Sequence, residues 1–162
     1  MSTNTALLKA ALLLKPAGMK IEFYDGLAAL PHFNPDDDIA PLPPAVADWR
    51  AKVAAADGLL ISSPEYARGI PGSLKNALDW LVSGPEHPGK PIAFFHASER
   101  GVVSQAALRL VLETMGTRIV DSACITINLL GTEKDAATIA GNPDYAAKIR
   151  DALRAFSASI SS

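Results

Sequence analysis

Hydrophobic positions along this chain alternate between two periods. Gly58-Leu59-Leu60-Ile61-Ser62 is a short unbroken apolar run closed by a small polar residue. Such a run predicts a strand buried on both faces, as in a parallel sheet. Pro91-Ile92-Ala93-Phe94-Phe95-His96-Ala97 repeats the pattern and predicts a second central strand. Met19 to Tyr24 alternates, with Ile21 and Phe23 on one side, and predicts another strand, after which Asp25-Gly26 turns the chain. Thr117 to Leu129, with Val120, Cys124 and Ile125, predicts the last strand.

Between these runs the period changes to that of a helix. Ala6 to Leu14 is a helix led by the capping-rich Ser2-Thr3-Asn4-Thr5 and stopped by Pro16 and Gly18, with Lys15 favourable to its dipole. A helix start lined by hydroxyls can cap itself or receive an anion. Pro43-Pro44 opens a helix carrying Val46, Trp49 and Val53 and ending near Asp57-Gly58. Pro71 suits the first turn of a helix whose apolar face is Leu74, Ala77, Leu78 and Leu81. Helices over about Val103–Met115 and Asp144–Ala158 follow, the latter with Ala147, Ile149, Leu153 and Phe156. Residues from about Leu30 to Pro44, rich in Pro and Asp, read as a long crossover loop. Strands alternating with helices over 162 residues predict one α/β domain, a three-layer sandwich with a mainly parallel sheet.

Composition removes several alternatives. A net charge of -2 with scattered Lys and Arg argues against a nucleic-acid partner. The only cysteine, Cys124, excludes an internal disulfide and a CxxC motif, and its apolar neighbourhood reads as that of a structural thiol. No stretch approaches the roughly 20 apolar residues of a membrane span. Ala6–Leu14, interrupted by Lys9, does not make a signal peptide, so the cytoplasm is the expected compartment. Asp36-Asp37-Asp38 lacks calcium-loop spacing, and His32, His87 and His96 lack partners at ligand spacing, so no metal is expected.

The chemistry concentrates in the loop after Ser62. Ser63-Pro64-Glu65-Tyr66-Ala67-Arg68-Gly69 holds a carboxylate, a phenol, a guanidinium and a rigid proline at the carboxyl end of a strand, where ligands of α/β sheets sit. Ser63 to Trp80 resembles the S-P-E-Y-N-x-x-I-P-G-x-L-K-N-A-[IL]-D-W signature of the NADPH-dependent FMN reductase family, a flavodoxin-like family including quinone, chromate and azo-dye reductases. Ala67 departs from it, standing where the family usually has Asn. Ser98 and Gly101 resemble part of the family's A-S-x-G-x-x-G-x loop, and Ser2-Thr3-Asn4-Thr5 resembles the tail of its G-S-x-R-x-x-S-x-N-T phosphate loop.

The resemblance implies strand order 2-1-3-4-5, with the first strand upstream of Met1 and Met1 inside the phosphate loop. It implies non-covalent FMN at the carboxyl edge of the sheet. Ser2, Asn4 and Thr5 would meet the phosphate; Pro64, Glu65, Tyr66, Ala67 and Arg68 would line one side of the isoalloxazine; Ser98, Arg100 and Gly101 would meet its other edge. NADPH or NADH would reduce the flavin, which would pass electrons to a small-molecule acceptor: a quinone, a metal oxyanion or a second flavin. No catalytic side chain is implied, and the assembly would be a homodimer or homotetramer. The alternative is a truncated, non-enzymatic flavodoxin-like protein that no longer binds FMN well. Gly69 and Gly72 are expected to supply the loop's backbone freedom.

Overall fold

The computed structural model describes residues 2–129 and 135–160. The expected place of Met1 in a phosphate loop lies outside the described residues. Ten elements follow in order: α1 (Thr3–Leu14), α2 (Pro44–Ala55), β1 (Leu59–Ile61), α3 (Gly72–Asp79), β2 (Pro91–His96), α4 (Val102–Thr114), β3 (Arg118–Ile119), β4 (Ile125–Thr126), α5 (Ala136–Gly141) and α6 (Pro143–Ile160). Three short 3-10 turns punctuate the connections.

The sheet is parallel and centred on β2, which pairs with β1 on one edge and with β3 and β4 on the other. Alternation along β2 divides the core into two layers. Ala93, Phe95 and Ala97 pack with α1, α5 and α6, while Ile92 and Phe94 pack with α2, α3 and α4. This is the three-layer sandwich that the apolar runs predict. Gly58 lets α6 close on β1: a Cβ there would stand 2.7 Å from Phe156 Cζ and 3.0 Å from the Pro91 carbonyl oxygen.

Two strand expectations are corrected. Met19–Tyr24 forms no strand. Alternation makes a strand only where a neighbouring backbone supplies a ladder, and among the described residues β1 has no partner on its far edge. Correspondingly, Leu59, Leu60 and Ile61 are half-buried, not sealed on both faces. Ile21 still packs at the edge of the core beside Met19, so the apolar side of the pattern is used without the backbone pairing.

The last strand is split. Ile92 pairs with Ile119 and Phe95 with Ile125, so six residues on one strand advance against three on the other. The surplus is taken up by the turn Asp121–Ala123, a bulge of the kind that interrupts a ladder locally. Cys124 repairs the interruption. Its Sγ accepts the Phe94 N–H at 3.4 Å and contacts the Val120 carbonyl at 3.4 Å. Burial pushes this thiol's pKa up, against the Phe94 N–H that favours the thiolate, consistent with a structural cysteine.

Candidate cofactor site

Three segments meet at the carboxyl edge of the sheet and enclose a cavity of about 320 Å³. Thr3 and Asn4 come from the first turn of α1, Ser63 to Glu65 from the loop after β1, and His96 to Ser98 with Arg100 and Gly101 from the end of β2 and the loop after it. Gln105 of α4 and Leu129 complete the wall.

Local chemistry fixes each segment. The Asn4 Oδ1 accepts the Ser62 hydroxyl at 2.9 Å, tying the start of α1 to the end of β1. Ser2 occupies the N-cap but makes no side-chain capping bond, so of the two uses open to this helix start, self-capping by Ser2 is not the one seen. The first-turn amides of α1, a 12-residue helix, therefore lack a side-chain partner from Ser2 and form the kind of terminus that receives anions. The Glu65 Oε2 accepts the Ser104 N–H at 2.9 Å, capping the first turn of α4 from a different loop. Across the cavity, Ser98 Oγ accepts the Arg100 N–H at 3.0 Å, and Gln105 Nε2 donates to the Ser98 carbonyl at 3.3 Å. The two loops at the cavity edge are thus both pinned to α4.

Of the residues singled out in the sequence, Asn4, Pro64, Glu65, Ser98, Arg100 and Gly101 line the cavity together. Ser2 and Thr5 do not; Thr3 takes the place beside Asn4. Tyr66, Ala67 and Arg68 also stand outside the wall. They form a two-residue reverse turn in which the Tyr66 and Gly69 backbones exchange hydrogen bonds of 3.2 and 2.9 Å. Tyr66 is 66 % exposed.

That turn corrects the expectation about glycines. Ala67 (φ 50°) and Arg68 (φ 59°) adopt the left-handed conformation, whereas Gly69 and Gly72 have no positive φ and their Cβ positions are free of close contacts. A turn with two positive φ values favours Asn and Gly at its centre, and this chain places two side-chain-bearing residues there. Ala67→Gly is expected to raise stability by about 0.5–1 kcal/mol, the relieved strain exceeding the added chain entropy. A urea midpoint at or below that of the parent would contradict this.

The back half of the Ser63–Trp80 stretch serves a different purpose. Asn76 Oδ1 accepts the Phe33 N–H at 2.8 Å, and its amide donates to the Pro31 carbonyl at 2.9 Å. Trp80 Nε1 donates to the same carbonyl at 2.8 Å, and its ring meets Phe33 edge-on, centroids 5.0 Å apart. Arg50 joins the network through the Trp80 carbonyl (2.8 Å), Asp38 (2.8 Å) and Ser83 (2.6 Å). These residues hold the long crossover Leu30–Asp38 against α3.

His96, like Gln105 and Leu129, is a wall residue to which the sequence assigns no role. Its pKa is lowered, first by burial and then by the charge of Arg109. Arg109 itself pairs with Asp121 at 2.5 Å as well as with Glu113, one turn along its own helix, at 3.4 Å. The sequence signal for His96 was its place as the last polar residue of an apolar strand, at the edge where ligands bind.

The sequence profile of the family described as NADPH-dependent FMN reductase matches residues 1–131. The chain belongs to that family. It is 44% identical over 99 residues to an NAD(P)H-dependent FMN reductase of Pseudomonas aeruginosa, an alignment covering 60% of this chain and 53% of that protein. It is 34% identical over 96 residues to a quinone reductase of Escherichia coli K12, covering 57% and 50% respectively. The chain spans about half the length of the curated relatives it matches. Among solved structures it is similar to the flavoenzyme NAD(P)H:(acceptor) oxidoreductase FerB of Paracoccus denitrificans, with TM-score 0.64, 25% identity and coverage of 98% of this chain and 84% of that one. An NADH:FMN oxidoreductase in its apo form aligns with TM-score 0.60 at 22% identity over 98% of this chain and 82% of that one, a likeness of fold. No helix among the described residues is long and apolar enough to cross a membrane.

Proposed function

We propose that this chain binds FMN in the carboxyl-edge cavity and uses it to carry electrons from NADPH or NADH to a quinone. The observation that carries the reading is the convergence of an amide-rich helix start, Thr3 and Asn4, with the two loops Ser63–Glu65 and Ala97–Gly101 on one cavity. The cavity volume lies within the range of small-molecule sites, and the donor set suits the group. An anionic phosphate fits the amides of α1, and a flat polar heterocycle fits between two loops whose wall is polar and apolar in turn. FMN would supply hydride acceptance and electron delivery, so the protein's task is binding, orientation and exclusion of water. Glu65 contributes by fixing the loop to α4, its Oε2 accepting the Ser104 N–H.

Flavins and metal oxyanions such as chromate are further acceptors within this reading, and the homodimer or homotetramer implied by the resemblance belongs to it. A second reading, a flavodoxin-like fold that holds FMN weakly, draws on the edge of β1 that has no strand partner among the described residues. One titration separates them. Quenching of FMN fluorescence to a one-to-one endpoint, followed by NADPH oxidation with a quinone giving parallel double-reciprocal plots, is the expected result. Intersecting plots would replace the exchange mechanism by a ternary complex, and absence of quenching would favour the second reading.

A further inference from the structure

His96 closes β2 on the strand face of Ile92 and Phe94, and its ring lies stacked on Phe94 with centroids 5.5 Å apart and planes 22° off parallel. Its Nδ1 is sealed from solvent and has no hydrogen-bond partner among the described residues, although the residue forms part of the cavity wall. A proton on Nδ1 would be a buried donor with no acceptor, so the neutral ring keeps its proton on Nε2. Nε2 is then the polar atom of the ring left for a ligand.

The charged and titratable groups around the ring favour that neutral form. Arg109 of α4 stands with its guanidinium 5.8 Å from the Phe94 ring centroid. It is paired with Asp121 of the bulge and Glu113 of its own helix, so neither carboxylate is left to stabilise an imidazolium. Glu65, from the loop after β1, has its Oε2 engaged by the Ser104 N–H, Arg100 in the following loop adds positive charge at the wall, and burial raises the pKa of the Cys124 thiol.

We propose that His96 is a positioning residue of the cavity, donating a hydrogen bond from Nε2 to an acceptor atom of the isoalloxazine ring. This rests on the reading of the cavity as an FMN site. A neutral donor there strengthens as electron density rises on the ring, so it favours the reduced ligand over the oxidised one. Recognition by a side chain of this kind differs from the backbone-mediated lining that the motif residues imply.

Three variants of the full chain test it by equilibrium FMN binding, by the reduction potential of the bound flavin and by thermal melting of the apoprotein. His96→Leu removes the donor and keeps the volume; the FMN dissociation constant is expected to rise about fivefold to tenfold, as for one lost hydrogen bond. The potential should move to more negative values. His96→Gln carries an amide N–H near the place of Nε2 and is expected to stay within about threefold of the parent in affinity, with the potential restored. His96→Asn carries its amide near the place of Nδ1 and should behave like the leucine variant. Unchanged affinity and potential in His96→Leu, or rescue by Asn equal to that by Gln, would overturn the assignment. If His96→Leu fails to fold, the contrast between Gln and Asn decides. If the parent chain itself binds no FMN, the flavin reading falls and this inference with it, an outcome distinct from a parent that binds and a leucine variant that binds equally well.

Discussion

Trp80→Ala is expected to lower the unfolding free energy by about 3–5 kcal/mol, measured by urea denaturation. Trp80 is fully buried, so truncation removes a large apolar contact surface and leaves a cavity between α3 and the crossover. The Pro31 carbonyl would keep only its bond from Asn76, and Phe33 would lose its edge-on partner. The substitution strikes the point where α2, α3 and the crossover converge, because the Trp80 carbonyl also holds Arg50. Trp80→Phe should lose less, keeping most of the ring contact while giving up the indole N–H. A loss under about 1 kcal/mol in Trp80→Ala would mean that the crossover is not fastened through this residue.

Leu7→Ala should cost about 2–5 kcal/mol by the same measurement. Leu7 is fully buried in the layer formed by α1, β2, α5 and α6. It lies one turn beyond Asn4, on the helix whose first turn forms one wall of the cavity. FMN affinity is expected to fall with stability, since the register of α1 on the sheet fixes where its amides and Asn4 stand. Stability lost with flavin affinity intact would show that the Asn4–Ser62 bond alone positions the helix start.

What the sequence made legible follows from where the physics is local. The unbroken run Pro91–His96 predicts a strand buried on both faces, and β2 is that strand. The spacing of Leu74, Ala77, Leu78 and Leu81 predicts the buried side of α3, and Ala77 and Leu78 are buried within it. The loops after β1 and β2 were identifiable because Pro, Gly and charged residues interrupt apolar runs at one edge of the sheet. Pairing was not legible. Met19–Tyr24 has the alternation of a strand, but a ladder depends on a second backbone that its own residues cannot specify. The bulge at Asp121–Ala123 was hidden because apolar residues continue through it, and only the register shows the surplus.

Other features were missed because their signals are weak or misleading. Helix α5 is short, though Asp135 signals its start by accepting the Thr138 N–H at 2.8 Å. The left-handed turn carries neither Gly nor Asn at Ala67 and Arg68, so composition pointed to the neighbouring glycines instead. Asn76 and Trp80 could be recognised within a motif, but their partners Pro31 and Phe33 are more than forty positions away. The role of Asp121 as a partner of Arg109 was hidden for the same reason, since helical spacing reveals Glu113 alone.

The division of labour within Ser63–Trp80 bears on how descent in such a family should be read. Its first residues face the cavity, while Asn76 and Trp80 secure a distant crossover. A lineage that abandoned flavin would be released from selection on the first set and would remain under selection on the second, because losing it is expected to destabilise the fold. The latter part of the signature therefore records ancestry and architecture. On the proposed flavin reading, whether a given descendant still practises the chemistry would be decided at the cavity residues Asn4, Ser63–Glu65 and Ser98–Gly101, and those are the positions at which relatives should be compared first.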